Sequence, residues 1–419
     1  MKVVVIALGK IGLPLAVHIA KAGHQVIGCD INETVVAQVN AGQPPFPGET
    51  GLEQALQDVI ANGSLRAHDD TVAALKEGPD LAILVPPLIL DANHQPEWTL
   101  LDRAFEAVGR GLRAGTTVSV ETTVPVGTTR ERLAPALAAA SGLRSERDFF
   151  CVFSPERVFS GRIFADLATY PKLVGGLSAE GEARGVDAYR SFITAEVRAM
   201  GSAEAAEMTK LAETTYRDVN IALANEFAIF AAARGIDVNR VIGAANSQPF
   251  SHIHQPGIAV GGHCIPVYPH LYLNQDPAAK LPRLAREVNE TMPAYAVQQL
   301  AQTIGDLEGR KVLILGIAFR GGVKETAYSG AFGLREALAA SGAVVVASDP
   351  LYTDAELLEL GFTPWHQEPI DAAVVQADHG EYQQLKPSDL PGVRGIVDGR
   401  RVVDSAPFVA AGISFRTIG

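Results

Sequence analysis

Cys264 is the side chain of this sequence best suited to nucleophilic chemistry. It lies in Gly261-Gly262-His263-Cys264-Ile265-Pro266, an irregular segment at the start of a predicted helix. A glycine pair lets a ligand approach the backbone closely, and amide donors at a helix start stabilise a developing oxyanion. A single cysteine is more often a small buried apolar residue, which is the interpretation kept for Cys29 and Cys151 in predicted strands. The loop around Cys264 favours a nucleophile.

Three polar side chains could assist such a nucleophile. Lys210, in a long predicted helix, could hold a substrate oxygen or relay a proton, although most helical lysines are simply solvated. Glu156, in Ser-Pro-Glu-Arg-Val, and Thr123 each follow a predicted strand, and parallel sheets bind ligands at the carboxyl ends of their strands. The alternatives are a salt bridge to a structural arginine for Glu156 and a helix cap for the threonine, the cap being more plausible for Thr128.

A dinucleotide site is predicted where the first strand meets the first helix, in Ala7-Leu8-Gly9-Lys10-Ile11-Gly12. This is the dinucleotide fingerprint with its first glycine replaced by Ala7. Asp30, at the end of the next predicted strand, would bind the ribose hydroxyls and repel a 2′-phosphate, which favours NAD over NADP. The alternative is a tight turn in a flavodoxin-like domain without a cofactor. The predicted cofactor-binding residues are Gly9, Lys10, Ile11, Gly12, Asp30, Pro86 and Thr123.

The elements that must position these residues alternate between β-branched runs and helical patterns, which is typical of a parallel α/β sheet. The predicted fold class is α/β, with two Rossmann-like doubly wound parallel-sheet domains joined by a long-helix central domain. The predicted domains cover residues 1–200, 201–307 and 308–419. A helix is predicted over 203–234, and its unusual length is typical of a helix that bridges domains and forms a subunit interface. Its apolar residues follow roughly helical spacing: Ala206, Leu211, Val219, Leu223 and Phe227.

Composition excludes several classes of protein. The chain has 419 residues, and its 35 Lys+Arg against 47 Asp+Glu give a net charge of −12. An acidic chain without a basic run is poorly suited to nucleic acid or an anionic membrane. Three cysteines without metal-ligand spacing predict neither a disulfide framework nor a metal site. No apolar run approaches the ~20 residues that span a bilayer, so a cytoplasmic location away from membranes is expected.

The motifs taken together resemble one family. They are Gly9-Lys10-Ile11-Gly12-Leu13-Pro14, Thr122-Thr123-Val124-Pro125-Val126-Gly127-Thr128-Thr129, Ser154-Pro155-Glu156-Arg157-Val158, the Lys210 helix, Val260–Val267 and Gly316-Ile317-Ala318-Phe319-Arg320. In this order they look like the nucleotide-sugar 6-dehydrogenases, the family of UDP-glucose and UDP-N-acetylmannosamine dehydrogenases. The resemblance runs over essentially the whole chain, and the glutamate and cysteine motifs look closer to the N-acetylhexosamine branch.

The resemblance implies a four-electron oxidation of a UDP-sugar C6 alcohol to the uronic acid with two NAD⁺. By motif, Cys264 would form the thiohemiacetal and thioester, and Lys210 would hold the C6 oxygen. Glu156 would activate the hydrolytic water with help from Thr123. The third domain would bind the nucleotide, and the long helix would form a homodimer core. The implied substrate-binding residues are Glu156, Arg157, Lys210, His254, Gly257, Gly261, Gly262, Arg320 and Lys324.

Four positions depart from the commoner pattern of the family. Tyr268 stands where an aspartate often assists proton transfer, and Thr214 stands where an asparagine is common. Ser160 replaces a glutamate of the UDP-glucose enzymes, and Ala327 replaces an arginine of the third domain, for which Lys324 could compensate. Three interpretations of these differences stay open: a subfamily with another proton relay, another sugar as substrate, or a slower reaction.

Three alternatives to the N-acetylhexosamine prediction remain. One is a UDP-glucose 6-dehydrogenase. Another is a two-electron dehydrogenase of a small hydroxy acid, like the 6-phosphogluconate and 3-hydroxyisobutyrate enzymes, which need no catalytic thiol. The third is a non-catalytic NAD-binding relative with a decayed sugar site, motivated by Ala7, Tyr268 and Ala327.

Overall fold

The computed structural model describes residues 1–159 and 161–419, which form two compact units, Met1–Glu213 and Thr214–Gly419. The first unit contains an eight-stranded sheet and a separate antiparallel hairpin, β5 with β6. Its strands are β1 (Lys2–Ile6), β2 (Gln25–Cys29), β3 (Leu65–His68), β4 (Leu81–Leu84), β5 (Ile89–Leu90), β6 (Pro96–Glu97), β7 (Thr117–Val120), β8 (Phe150–Phe153), β9 (Lys172–Gly176) and β10 (Val197–Ala199).

Helices connect these strands in the order expected of a doubly wound fold. They are α1 (Gly12–Lys21), α2 (Glu33–Asn40), α3 (Leu52–Ala61), α4 (Thr71–Lys76), α5 (Thr99–Gly111), α6 (Ala134–Ser141), α7 (Ile163–Thr169), α8 (Ala179–Arg190) and α9 (Ala203–Ala232), which continues into the second unit. The segment after Thr128 begins as a π-helical turn, Thr129–Leu133, which continues as α6. The predicted long helix is confirmed as α9.

The sheet order is β10-β9-β8-β7-β4-β1-β2-β3, and the central strands are fully buried. Burial on both faces explains why these strands are continuous apolar runs rather than alternating ones. The sheet is parallel except between β8 and β9, which are antiparallel. Because β9 runs backwards, it starts at the edge where β7 and β8 end. The β8–β9 junction departs from the otherwise parallel pairing that the sequence predicts for this sheet.

The second unit contains a five-stranded sheet in the order β12-β11-β13-β14-β15, parallel throughout. Its elements are α10 (Val238–Ala245), α11 (Tyr268–Gln275), α12 (Lys280–Ile304), β11 (Lys311–Leu315), α13 (Gly330–Ala340), β12 (Val344–Ser348), α14 (Asp354–Glu359), β13 (Ala372–Val375), β14 (Gly395–Asp398), α15 (Ala406–Ala410) and β15 (Ser414–Thr417). The predicted α/β class, with a helical region between two sheets, is confirmed.

Candidate active site

The turn between β1 and α1 has the backbone geometry of a dinucleotide site. Ala7 adopts a positive φ of 76°, the conformation that the usual glycine adopts freely. A Cβ on Gly12 would lie 1.9 Å from the Ala7 carbonyl oxygen, so only glycine lets the helix start this close to the strand. The Asp30 carboxylate accepts hydrogen bonds from the amides of Leu8 (2.8 Å) and Asn32 (2.9 Å), which hold it at the end of β2.

The residues at this turn fit NAD. A Cβ on Gly9 would meet no atom within 4 Å, so the backbone there is open to a ligand. Helix α1 begins without a side-chain cap and without an acidic residue in its first turn, which suits a pyrophosphate at its N-terminus. Lys10 is exposed, and Ile11 packs on the core below the turn. Pro86, beyond β4, accepts a hydrogen bond of 2.6 Å from the Thr122 hydroxyl through its carbonyl.

Glu156 lies in a buried cluster with one lysine and a second glutamate. The Lys172 ammonium donates to Glu156 Oε2 at 2.9 Å and to Glu121 Oε2 at 2.8 Å. The Tyr189 hydroxyl donates to Glu121 Oε1 at 2.5 Å, and the Arg157 amide donates to Glu156 Oε1 at 2.7 Å. Glu156 is therefore paired with a lysine and not with a structural arginine.

The same cluster sets the charges at this edge of the sheet. Burial raises the pKa of Glu121, despite the nearby Lys172 ammonium. Burial alone would also raise the pKa of Glu156, but Lys172 and the Arg157 amide outweigh it and hold this pKa below its usual value. The two carboxylates likewise outweigh the burial of Lys172 and raise its pKa. The Lys172 ammonium thus favours the ionised form of Glu156.

Lys210 and Thr123 are both buried in the first unit. The Lys210 ammonium donates to the Glu156 carbonyl oxygen at 2.6 Å, so the alternative of a solvated helical lysine is wrong. The Thr128 hydroxyl donates to the Pro125 carbonyl at 2.7 Å and does not cap the helix. Glu207 of α9 binds the start of that helix instead, through the amides of Gly127 (2.6 Å) and Thr129 (2.9 Å).

Cys264 lies in the turn that leads into α11 and is partly exposed, whereas Cys29 and Cys151 are buried. Its carbonyl accepts a hydrogen bond from the amide of Tyr268, the first residue of α11, at 2.9 Å. The glycine pair before it has a close neighbour that the sequence did not suggest: a Cβ on Gly261 would lie 2.5 Å from Phe319 Cβ. The pair therefore accommodates the Phe319 side chain, and the predicted close approach of a ligand at the same glycines stays a prediction.

Two other residues that were predicted to bind the substrate, His254 and Gly257, lie on the segment before Cys264. The Gly257 amide donates to Asn225 Oδ1 of α9 at 2.9 Å. The His254 amide donates to Asn220 Oδ1 at 2.9 Å, and its ring lies edge-on to Tyr216. The long helix therefore anchors this segment at two points.

The predicted residues of the last domain lie in the loop between β11 and α13. The Arg320 guanidinium lies 5.7 Å from the centre of the Phe319 ring. The Lys324 ammonium pairs with Glu356 and lies 5.1 Å from the centre of the Tyr352 ring, so it is engaged inside this domain. Ala327 offers its carbonyl to the Gly262 amide at 2.8 Å, and Thr214 is buried on α9. Ser160 lies outside the described residues.

Sequence reasoning missed Lys172 and Glu121. Lys172 begins β9, in Tyr170-Pro171-Lys172-Leu173-Val174, and a parallel strand would have placed it at the opposite edge of the sheet. The signal that could have found it is a charged residue adjoining an apolar run, although the strand direction cannot be inferred from that pattern.

Among residues 1–159 and 161–419, no His, Cys, Asp and Glu side chains are grouped to hold a metal ion. No helix within these ranges is long and apolar enough to cross a bilayer.

Comparison with known proteins identifies the family. Residues 1–193 match the NAD binding domain of the UDP-glucose/GDP-mannose dehydrogenase family, residues 204–291 its central domain and residues 313–405 its UDP binding domain. The chain belongs to this family. It is therefore an NAD-dependent oxidoreductase of nucleotide sugars, which confirms the predicted resemblance, enzyme class and cofactor.

Individual relatives cover the chain from end to end. The UDP-N-acetyl-D-mannosamine dehydrogenase of Pyrococcus horikoshii is 36% identical, over 100% of this chain and 99% of the relative. The solved structure of the UDP-D-ManNAc dehydrogenase of that organism matches with a TM-score of 0.90 at 35% identity, over 100% of this chain and 99% of that one. A UDP-glucose dehydrogenase from Pyrobaculum islandicum matches with a TM-score of 0.89 at 27% identity, over 100% and 97%.

Proposed function

We propose that this protein oxidises the C6 alcohol of UDP-N-acetylmannosamine, or a closely related UDP-N-acetylhexosamine, to the uronic acid. The observation that carries the proposal is the end-to-end similarity to UDP-N-acetyl-D-mannosamine dehydrogenases together with a partly exposed Cys264 in the turn before α11. A thiol is needed when an aldehyde is carried on to an acid, because its addition product can be oxidised to a thioester and hydrolysed.

Each proposed role follows from the chemistry of one side chain. NAD⁺, when bound at the Gly9–Gly12 turn with its ribose on Asp30, supplies the hydride acceptor for both oxidation steps. Lys210 holds the C6 oxygen as it becomes an oxyanion, and Cys264 adds to the aldehyde carbon. Glu156 removes a proton from the water that attacks the thioester, and Thr123 orders that water.

The proposed sugar and nucleotide contacts are divided between two segments. Arg157 and the stretch holding His254, Gly257, Gly261 and Gly262 are proposed to contact the sugar. Arg320 and Lys324 are proposed to contact the nucleotide, which agrees with the match of this region to a UDP binding domain. The proposed domain limits are 1–200, 201–307 and 308–419.

The test is NADH release with excess NAD⁺ and a panel of UDP-N-acetylmannosamine, UDP-N-acetylglucosamine, UDP-N-acetylgalactosamine and UDP-glucose. Product mass is measured in the same samples. The expected result is two NADH per sugar and a product that has lost two hydrogens and gained one oxygen, fastest with UDP-N-acetylmannosamine. One NADH and a free aldehyde as the final product would refute the four-electron reaction, and a preference for UDP-glucose would refute the proposed sugar.

Cysteine variants sharpen this test. Cys264→Ser is expected to lower turnover at least a thousandfold, because an ester-forming hydroxyl is a far poorer nucleophile toward the aldehyde. Cys151→Ala is the matched control, since that thiol is fully buried in β8. Equal activity of Cys264→Ser and wild type would show that the thiol takes no part.

We also propose a homodimer formed through α9. The apolar side chains Leu223, Phe227 and Phe230 are 42%, 39% and 57% exposed on the single chain, which is unusual for a stripe of large apolar residues. A second copy of α9 would cover them. Sedimentation of the wild type and of Phe227→Glu tests this, with a dimer and a monomer expected respectively; a monomeric wild type would refute it.

A further inference from the structure

The Glu156 carboxylate is the end of a buried chain of hydrogen bonds that the proposed reaction does not yet use. The chain runs from the Ser119 hydroxyl to Tyr189 (2.8 Å), from Tyr189 to Glu121 (2.5 Å), and through Lys172 to Glu156. The side chains of Lys172, Glu121 and Glu156 are 4%, 0% and 11% exposed. Glu156 is therefore the most exposed of these three side chains.

Three strands of the sheet bring these hydrogen-bonded side chains together. Glu121 directly follows β7, and Glu156 follows β8 by three residues, so both lie at the carboxyl edge of the sheet. Lys172 reaches the same edge only because β9 runs antiparallel to β8. The reversal therefore places one ammonium between two carboxylates that would otherwise repel each other.

Burial makes this arrangement sensitive to the loss of any one partner. A buried carboxylate without a partner takes up a proton, whereas an ammonium within hydrogen-bond distance keeps it ionised. One lysine serves two carboxylates here, and burial raises the pKa of Glu121 while the pKa of Glu156 is lowered. The ammonium lies within hydrogen-bond distance of both carboxylates, 2.8 Å from Glu121 Oε2 and 2.9 Å from Glu156 Oε2, so its loss would leave each of them without this partner.

Other charged groups face Glu156 from the elements packed around it. Lys210 of α9 donates to its carbonyl, and Arg157 next to it pairs with Glu213 at 2.9 Å. From α1, the His18 ring feels the charges of Glu156 and Lys172, and its pKa is lowered mainly by burial. Lys172 forms an ion pair with the Glu156 carboxylate itself, at 2.9 Å.

We propose that Lys172, anchored by Glu121 and Tyr189, is a positioning residue that keeps the Glu156 carboxylate ionised and in one orientation for hydrolysis of the thioester. Lys172 touches neither substrate nor cofactor in this role. The inference rests on the proposed function of Glu156 as the base for the hydrolytic water. It predicts that hydrolysis, and not the earlier addition of Cys264 to the aldehyde, depends on Lys172.

The experiment follows the covalent adduct on Cys264 in single turnovers, with enzyme in excess over UDP-N-acetylmannosamine and with saturating NAD⁺. Samples are quenched over time and weighed as intact protein at pH values between about 5 and 9. The variants are Lys172→Met, Lys172→Arg and Glu121→Gln. Arg132→Met is the matched control, because it removes an ion pair with Asp102 (2.5 Å) in the same unit.

In Lys172→Met the adduct is expected to form but to decay at least tenfold more slowly at neutral pH. The midpoint of the acid limb for adduct decay should rise by at least about one pH unit, because Glu156 loses its cation. Lys172→Arg should restore most of the rate. Glu121→Gln should move the midpoint in the opposite direction, to lower pH, since one ammonium then serves one carboxylate.

Lys172→Met and Glu121→Gln are thus expected to shift the pH midpoint of adduct decay in opposite directions. A merely structural role of the cluster would not produce opposite shifts. Unchanged midpoints in both Lys172→Met and Glu121→Gln, or a shift equal to that of Arg132→Met, would overturn the inference. If Lys172→Met fails to fold, Glu121→Gln and Lys172→Arg carry the test alone, and a Glu121→Gln midpoint that stays or rises refutes it. If the wild type forms no adduct on Cys264, the proposed function itself fails, which is a separate outcome.

Discussion

The first strand of each sheet ends in the same turn, yet the two turns are used differently. In the first unit the Ala7 amide donates to Cys29 and Leu8 donates to Asp30, each at 2.8 Å. In the second unit the Gly316 amide donates to Ser348 and Ile317 donates to Asp349, again at 2.8 Å. Both units therefore build a strand, a turn with positive φ and a carboxylate at the end of the neighbouring strand.

The surroundings of the two carboxylates differ. Asp30 is partly exposed beside the open backbone of Gly9. Asp349 is buried, and it also accepts hydrogen bonds from the Ala318 amide (3.1 Å) and the His379 ring (3.1 Å). A carboxylate that is already enclosed by donors cannot bind ribose hydroxyls.

The helices that follow the two turns differ as well. Helix α1 begins at Gly12 without a side-chain cap, whereas α13 begins only at Gly330 and its N-terminus is capped by the Ser329 hydroxyl. The comparison shows that a dinucleotide site needs more than the Rossmann backbone. It needs an accessible carboxylate and a helix that begins soon after the strand with an uncapped N-terminus.

The largest expected effect is on stability at the enclosed carboxylate. Asp349→Asn should lower the free energy of unfolding by about 3 kcal/mol, because an amide cannot accept from all the donors that surround this buried oxygen pair. Asp30→Asn should change it by less than about 1 kcal/mol, since water replaces what is lost at a partly exposed site. Urea unfolding of both variants without NAD measures the difference, and equal losses would break the comparison.

The enclosed carboxylate of Asp349 also predicts that the stability difference between the wild type and Asp349→Asn depends on pH. Burial alone would raise the pKa of Asp349, but the hydrogen bonds from His379 and from the Leu351 and Ala318 amides outweigh it and hold this pKa below its usual value. A lowered pKa contributes stability that is present above the unfolded value of about 3.9 and is lost as the pH falls through the folded value. The advantage of the wild type over Asp349→Asn should therefore shrink below about pH 4.

The second effect is on NAD binding. Asp30→Ala should weaken NAD⁺ by about tenfold, near 1.4 kcal/mol, because the ribose loses its charged acceptor. It should also narrow the preference for NAD⁺ over NADP⁺, since the repulsive carboxylate is gone. Calorimetry with each nucleotide tests this. Asp349→Asn is the control, and a loss of NAD⁺ affinity there as large as in Asp30→Ala would mean that the two turns are not distinguished by their carboxylates.

The sequence predicted those features that depend on local patterns. The dinucleotide turn, the long helix α9 and most strands were found from glycine spacing and apolar runs. The Asp349 turn was not recognised as a counterpart of the Asp30 turn, because fourteen intervening residues, 316–329, separate the strand from α13 and hide the fingerprint. Lys172 was missed because strand direction, which decides the edge at which a strand end lies, depends on tertiary pairing and leaves no local signal.

The smallest expected effect concerns the residue that begins each turn. Ala7 has a φ of 76° where Gly316 has 87°, and an L-residue in that region costs about 1–2 kcal/mol. Ala7→Gly relieves this strain but gives the unfolded chain more freedom, worth about 0.4–1 kcal/mol. The net expectation is a gain in stability of about 0.5 kcal/mol, measured by urea unfolding, with NAD⁺ affinity unchanged.

The reverse exchange supplies the control. Gly316→Ala should destabilise the protein by about 2 kcal/mol, because the new Cβ both adopts the left-handed region and lies 2.5 Å from Ala377 Cβ. Opposite signs for the two exchanges would show that both positions demand the same backbone and that the first turn tolerates a strained alanine. A loss of stability in Ala7→Gly would instead show that the alanine methyl group contributes more to packing than its conformation costs.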